Sequence, residues 1–158
     1  ALLHQLQASR RFLDEAVRAR DPGQLSEALR VAQEVALPGV AEEEVLLRKL
    51  EAVVAKLEQA PGIEALRLAL EAGRKAELPT EIVSKFEQRL RRREEAQLAL
   101  EETMEAARVP LLSAALENAK GMSLPSEDKA ARRLRALEEA ESLLKGALEN
   151  RLISSLVG

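Results

Sequence analysis

The sequence predicts an all-α protein built from antiparallel helix pairs, and three observations carry that expectation. Hydrophobic residues are 46% of the 158-residue chain but aromatics only 1%, so the core must be made of Leu, Ala, Val and Ile, a palette suited to closely packed helices. No stretch alternates apolar with polar residues for long enough to read as a strand. A fourteen-residue pattern, L-x-x-A-L-x-x-A-x-x-x-x-L-P, occurs three times.

The motif copies are Leu25, Ala28, Leu29, Ala32, Leu37, Pro38; then Leu66, Ala69, Leu70, Gly73, Leu78, Pro79; then Leu112, Ala115, Leu116, Ala119, Leu124, Pro125, with Gly73 the one departure. Residues at i, i+3, i+4 and i+7 share one helix face, and the small alanines let a neighbouring helix approach closely. A residue before proline is pushed out of the α region, so Leu37, Leu78 and Leu124 are expected at helix ends, each proline opening the first turn of the next helix. Glu42 to Glu44, Glu81, and Glu127 with Asp128 follow the prolines, where the positive end of a helix dipole favours acids.

Twelve residues before each motif stand Leu13, Val54 and Leu100, marking the last turns of a longer helix. Turn residues Asp21-Pro22-Gly23, Pro61-Gly62 and Val109-Pro110 then separate long helix from short. The expected helices, in order, cover about 2–20, 24–36, 40–60, 63–77, 80–107, 109–122 and 126–154. The prolines are 41 and 46 residues apart, the length of a helix pair with its turns. One helical-repeat domain over 1–158 is expected, with units of about 1–37, 38–78, 79–124 and 125–158; the alternative is a closed antiparallel bundle. Leu144 continues the Leu13, Val54, Leu100 series, and Leu152, Ile153, Leu156 and Val157 make an apolar end, so the chain is expected to be a fragment of a longer array.

Asp14 with Arg18, Glu44 with Arg48, Glu81 with Lys85, Glu87 with Arg91, and Glu141 with Lys145 are spaced to pair along solvent-facing helix sides. Charged residues are 32% of the chain and the net charge is -3, which argues against general affinity for nucleic acid or anionic lipid. There is no cysteine, hence no disulfide, thiolate nucleophile or Cys-ligated zinc, which points to an intracellular, cytoplasmic protein. No apolar run approaches the length of a membrane span.

For chemistry the sequence offers little. His4, the single histidine, has no Ser, Cys or paired acid at a telling spacing and reads as a terminal residue. Acidic clusters lack an E-x-x-H pair, and the glycines form no phosphate-cradling loop, so no metal, cofactor, small-molecule substrate or catalysis is expected. The densest basic runs are Arg89, Arg91, Arg92 and Arg93, and Arg132, Arg133 and Arg135. Glu87, Glu94 and Glu95 interrupt the first, and no aromatic is placed to stack on a base, so these arginines suit a solvated helix face or an acidic protein partner better than a nucleic acid.

In motif length and helix pairing, Leu25 to Pro38 and its two further copies resemble the α-solenoid repeat proteins, the class that includes armadillo, HEAT and tetratricopeptide arrays. The chain departs from the tetratricopeptide pattern in period and in lacking Trp and Tyr, and it carries no HEAT signature. The resemblance implies a scaffold that contacts other proteins, subunits of a larger complex, along an extended surface. A second reading is an apolipoprotein-like protein whose amphipathic helices lie on a lipid surface.

Overall fold

The computed structural model describes residues 1–157, the side chain of Val157 excepted; Gly158, the last residue of the expected fourth unit, lies outside the described residues. Among the described residues there are seven helices and no strand: α1 (Leu2–Ala19), α2 (Pro22–Glu34), α3 (Ala41–Gln59), α4 (Gly62–Lys75), α5 (Thr80–Ala106), α6 (Val109–Ala119) and α7 (Glu127–Val157). Long helices alternate with short ones as the sequence predicts. Contacts cluster into two units, Ala1–Leu90 and Arg91–Gly158, with α5 beginning in one and ending in the other.

In the first unit α1 packs on α2, α2 on α3 and α3 on α4. The motif residues supply the core: Leu25, Ala28, Leu29, Leu66, Ala69 and Leu70 are buried together with Leu13, Leu50, Leu57 and Phe86. In the second unit α6 packs on α7, and Leu100, Leu112, Ala115, Ala119, Leu124 and Ala130 are buried. The expected pairing of α5 with α6 is not among the closely packed neighbours.

The structure corrects the reading of Leu-Pro. Helices α2, α4 and α6 stop at Glu34, Lys75 and Ala119, before the leucine, and no proline of the motif lies inside the next helix. At the first motif the Leu37 N–H donates to the Ala32 carbonyl at 2.9 Å and the Ala36 N–H to Gln33 at 3.1 Å. At the second, Leu78 donates to Gly73 at 3.2 Å and Glu77 to Arg74 at 3.0 Å. Both are Schellman turns, and the five-residue spacing from small residue to leucine in the motif is the span of the longer bond. The turn demands a left-handed residue, supplied by Ala36 (φ 53°) and Glu77 (φ 57°). At the third motif α6 ends on Ala119 itself; Met122 donates to the Ala119 carbonyl at 3.1 Å, and Gly121 and Ser123 carry the positive φ values.

Helix starts follow the sequence more closely. Asp21 caps α2, accepting from the Gly23 N–H at 2.9 Å, with Pro22 at the first position. The Pro79 carbonyl accepts from Ile82 and Val83 at the start of α5. None of the five expected i,i+4 pairs forms among the described residues: Asp14 pairs with Arg10 instead and Glu87 with Arg74. The first replacement lies within α1, and the second joins α4 to α5.

Candidate partner-contact surface

The seven arginines singled out by sequence fall on α5 and α7. Arg89, in the first unit, is half-buried, and its guanidinium carbon lies 4.9 Å from the centre of the Phe86 ring, so it serves packing through a cation–π contact. In the second unit Arg91 and Arg92 are exposed and Arg93 is half-buried. On α7, Arg132, Arg133 and Arg135 are all exposed, and Arg132 Nε reaches the Asp128 carbonyl of its own helix at 3.4 Å.

Two of the seven come together in a site. Arg132 and Arg133, with Lys129, form one wall of a groove of about 920 Å³ whose other wall carries Glu101 and Glu105 of α5, with Met104 and Ser126 also lining it. Arg91, Arg92, Arg93 and Arg135 do not line it. Helical geometry builds both walls: Glu101 and Glu105 are one turn apart, and Lys129, Arg132 and Arg133 sit at i, i+3 and i+4. Gln97 holds the walls in place. Its Nε2 donates to Ser126 Oγ at 2.6 Å and to Glu101 Oε1 at 2.8 Å, while its Oε1 accepts from the Ser126 N–H at 3.4 Å. The Glu127 carboxylate in turn accepts from the Leu124 N–H at 3.3 Å.

Among the described residues no ion pair joins the acidic wall to the basic wall. The groove therefore presents two carboxylates and three cations with no opposite charge bonded across it, Glu101 accepting from Gln97 and Arg132 reaching the Asp128 carbonyl, an arrangement suited to a segment that carries both signs. The sequence singles out Arg132 and Arg133 of these residues; Glu101, Glu105, Lys129 and Gln97 carry no mark of their own in it. The turn-by-turn spacing of the acids and bases was the available signal; their juxtaposition is tertiary.

Two charged groups elsewhere shape the first unit. Arg10 Nη2 donates to Glu43 Oε1 at 2.8 Å, and Glu43 is buried with its Oε2 unpartnered among the described residues. Arg20 Nε donates to the Ala76 carbonyl at 2.7 Å, neutralising the C-terminal end of α4. On the outer face of α2 the hydrogen-bonded Arg30 guanidinium holds the Glu27 carboxyl below its ordinary pKa. His4 lies exposed near the start of α1. Among the described residues no cluster of three His, Cys, Asp or Glu could hold a metal, and no helix is long and apolar enough to cross a membrane. Comparison with protein-family models, curated proteins and solved structures gives no match to this chain.

Proposed function

We propose that this chain is a non-catalytic scaffold segment that binds other proteins within a larger assembly, with the groove between α5 and α7 as one contact site. The observation that carries the reading is the pair of unneutralised walls, Glu101 and Glu105 facing Lys129, Arg132 and Arg133. Among the described residues none of the five is held in an ion pair. A nucleic acid would meet the two carboxylates in the same groove, which disfavours it.

With this reading goes the arrangement of helix pairs as a stacked, solenoid-like array. Its support is the thrice-repeated motif and the identical Schellman ending of the first two copies. Small-angle scattering tests it: a radius of gyration near about 15 Å, the value for a compact domain of this length, would favour a closed bundle.

The binding reading is tested by quantitative capture from native extract, comparing the unaltered chain with Arg132→Glu/Arg133→Glu and Glu101→Lys/Glu105→Lys. Loss of the same proteins in both variants is expected; an unchanged set would remove the groove from the account. A lipid-surface role has one observation in its favour, the exposed leucines of α7, and none from aromatic anchors, since Trp and Tyr are absent. Vesicle flotation separates the two readings.

A further inference from the structure

We propose that the outer half of α7 is a self-association surface, pairing antiparallel with the same segment of a second copy of this chain. The inference stands on α7 alone and is independent of what fills the groove. From Glu138 to Leu156 every residue except Gly146 is exposed. Leu144, Leu148 and Leu152 are 63%, 53% and 64% exposed in the midst of it. A row of bare leucines along a helix is a surface to be covered.

The spacing of side chains names the occupant. Leu137, Glu141, Leu144, Leu148, Arg151 and Ser155 alternate by four and three residues, the spacing of a two-stranded coiled-coil seam, with three positions apolar and three polar. Two charges in such a seam are costly unless answered. In a parallel pair Glu141 would meet Glu141, and Arg151 would meet Arg151, burying like charges together. In the antiparallel register that sets Leu144 against Leu148 of the second copy, Glu141 falls opposite Arg151 twice and Leu137 opposite Ser155 twice. One register thus satisfies every charge in the seam and stacks its central leucines. Within the chain neither charge is used: among the described residues Glu141 and Arg151 have no ion pair or side-chain hydrogen bond. Gly146 lies on the opposite side of the helix from the seam. The flanking acids Glu138, Glu139 and Glu149 disfavour an anionic membrane as the occupant.

Sedimentation analysis of the whole chain tests the proposal through a charge exchange. The unaltered chain should show a concentration-dependent monomer–dimer equilibrium. Glu141→Arg alone and Arg151→Glu alone should each weaken it at least about tenfold, because each sets like charges face to face. An equimolar mixture of the two variants should dimerise as the unaltered chain does, since each chain then supplies the charge the other lacks. Circular dichroism should find the variants as helical as the parent, the altered residues touching nothing else. A second measurement uses the absence of native cysteine. Leu137→Cys mixed with Ser155→Cys should form a disulfide-linked pair, and neither alone should, because like positions lie about 27 Å apart along an antiparallel pair. A monomeric parent, a dimer indifferent to both reversals, a mixture that stays monomeric, a disulfide from Leu137→Cys alone, or vesicle binding by a chain that stays monomeric in solution would each overturn it.

Discussion

At the scale of single residues, Gly73 is the place where the chain leaves its own motif. A methyl group added there would sit 3.4 Å from Leu78 Cδ1 and 3.5 Å from Leu57 Cδ1, ordinary contact distances. Gly73→Ala is therefore expected to raise stability by about 0.5–1 kcal/mol, by removing backbone freedom from the unfolded chain and filling the contact. Chemical denaturation showing a loss instead would mean that the closeness of Leu78 is already at its limit. Arg10 offers the opposite case. Its removal in Arg10→Ala leaves the buried Glu43 carboxylate without its guanidinium, at an expected cost of about 1–2 kcal/mol; removing Lys75, whose pair with Glu71 is exposed, should change stability by less than about 0.5 kcal/mol. Equal effects would sink the distinction between a half-buried pair and a surface one.

At the scale of helices, the motif alanines are not equivalent. Ala28 is fully enclosed, whereas Ala69 and Ala115 are 8% and 9% exposed, and Ala69 borders a groove of about 430 Å³ lined also by Ala65, Leu68 and Ala72. Ala28→Leu is expected to cost about 2–3 kcal/mol through overpacking, and Ala69→Leu less because the added atoms have somewhere to go. Calorimetry finding the reverse order would overturn this packing account. In α7, Gly146 has no neighbour within 4 Å of an added methyl, so Gly146→Ala should firm the helix by about 1 kcal/mol without touching the seam. The existence and order of all seven helices were legible because Leu and Ala recur at helical spacing and Pro and Gly stand between them. The helix ends were less so. A Schellman turn needs a left-handed residue, and Ala36 and Glu77 are types that seldom adopt one, so the sequence placed the stops at about 36, 77 and 122, two or three residues later than Glu34, Lys75 and Ala119. The arginine runs were legible as basic, but their division into a ring-stacked Arg89, a groove-lining Arg132 and Arg133, and the rest depends on which helix lies alongside.

At the scale of the molecule, the two units differ in what holds them. The first buries a continuous set of residues from five helices, including Phe86 and Leu13; the second buries a shorter set, of which Ala130 is the last on the long α7. Hydrogen exchange at concentrations where the chain is monomeric should find the amides of α2 and α4 slowest, those of α6 and the first turns of α7 intermediate, and those beyond Glu138 fastest. Uniform protection along α7 would contradict the unpacked outer half.

The left-handed corners have a consequence for how this sequence can change. Arg20, Ala36, Glu77, Ala107 and Ser123 all hold positive φ without being glycine, each at a cost of about 1 kcal/mol that glycine would avoid. Codons for Ala and Glu stand one base from a glycine codon, so at Ala36, Glu77 and Ala107 a single nucleotide change would relieve the backbone and remove no buried side chain, whereas at Arg20 it would also remove the bond to the Ala76 carbonyl. The chain therefore sits below its attainable stability with several short mutational steps upward still untaken, and a lineage that lost a core contact elsewhere would have a ready route to recover it.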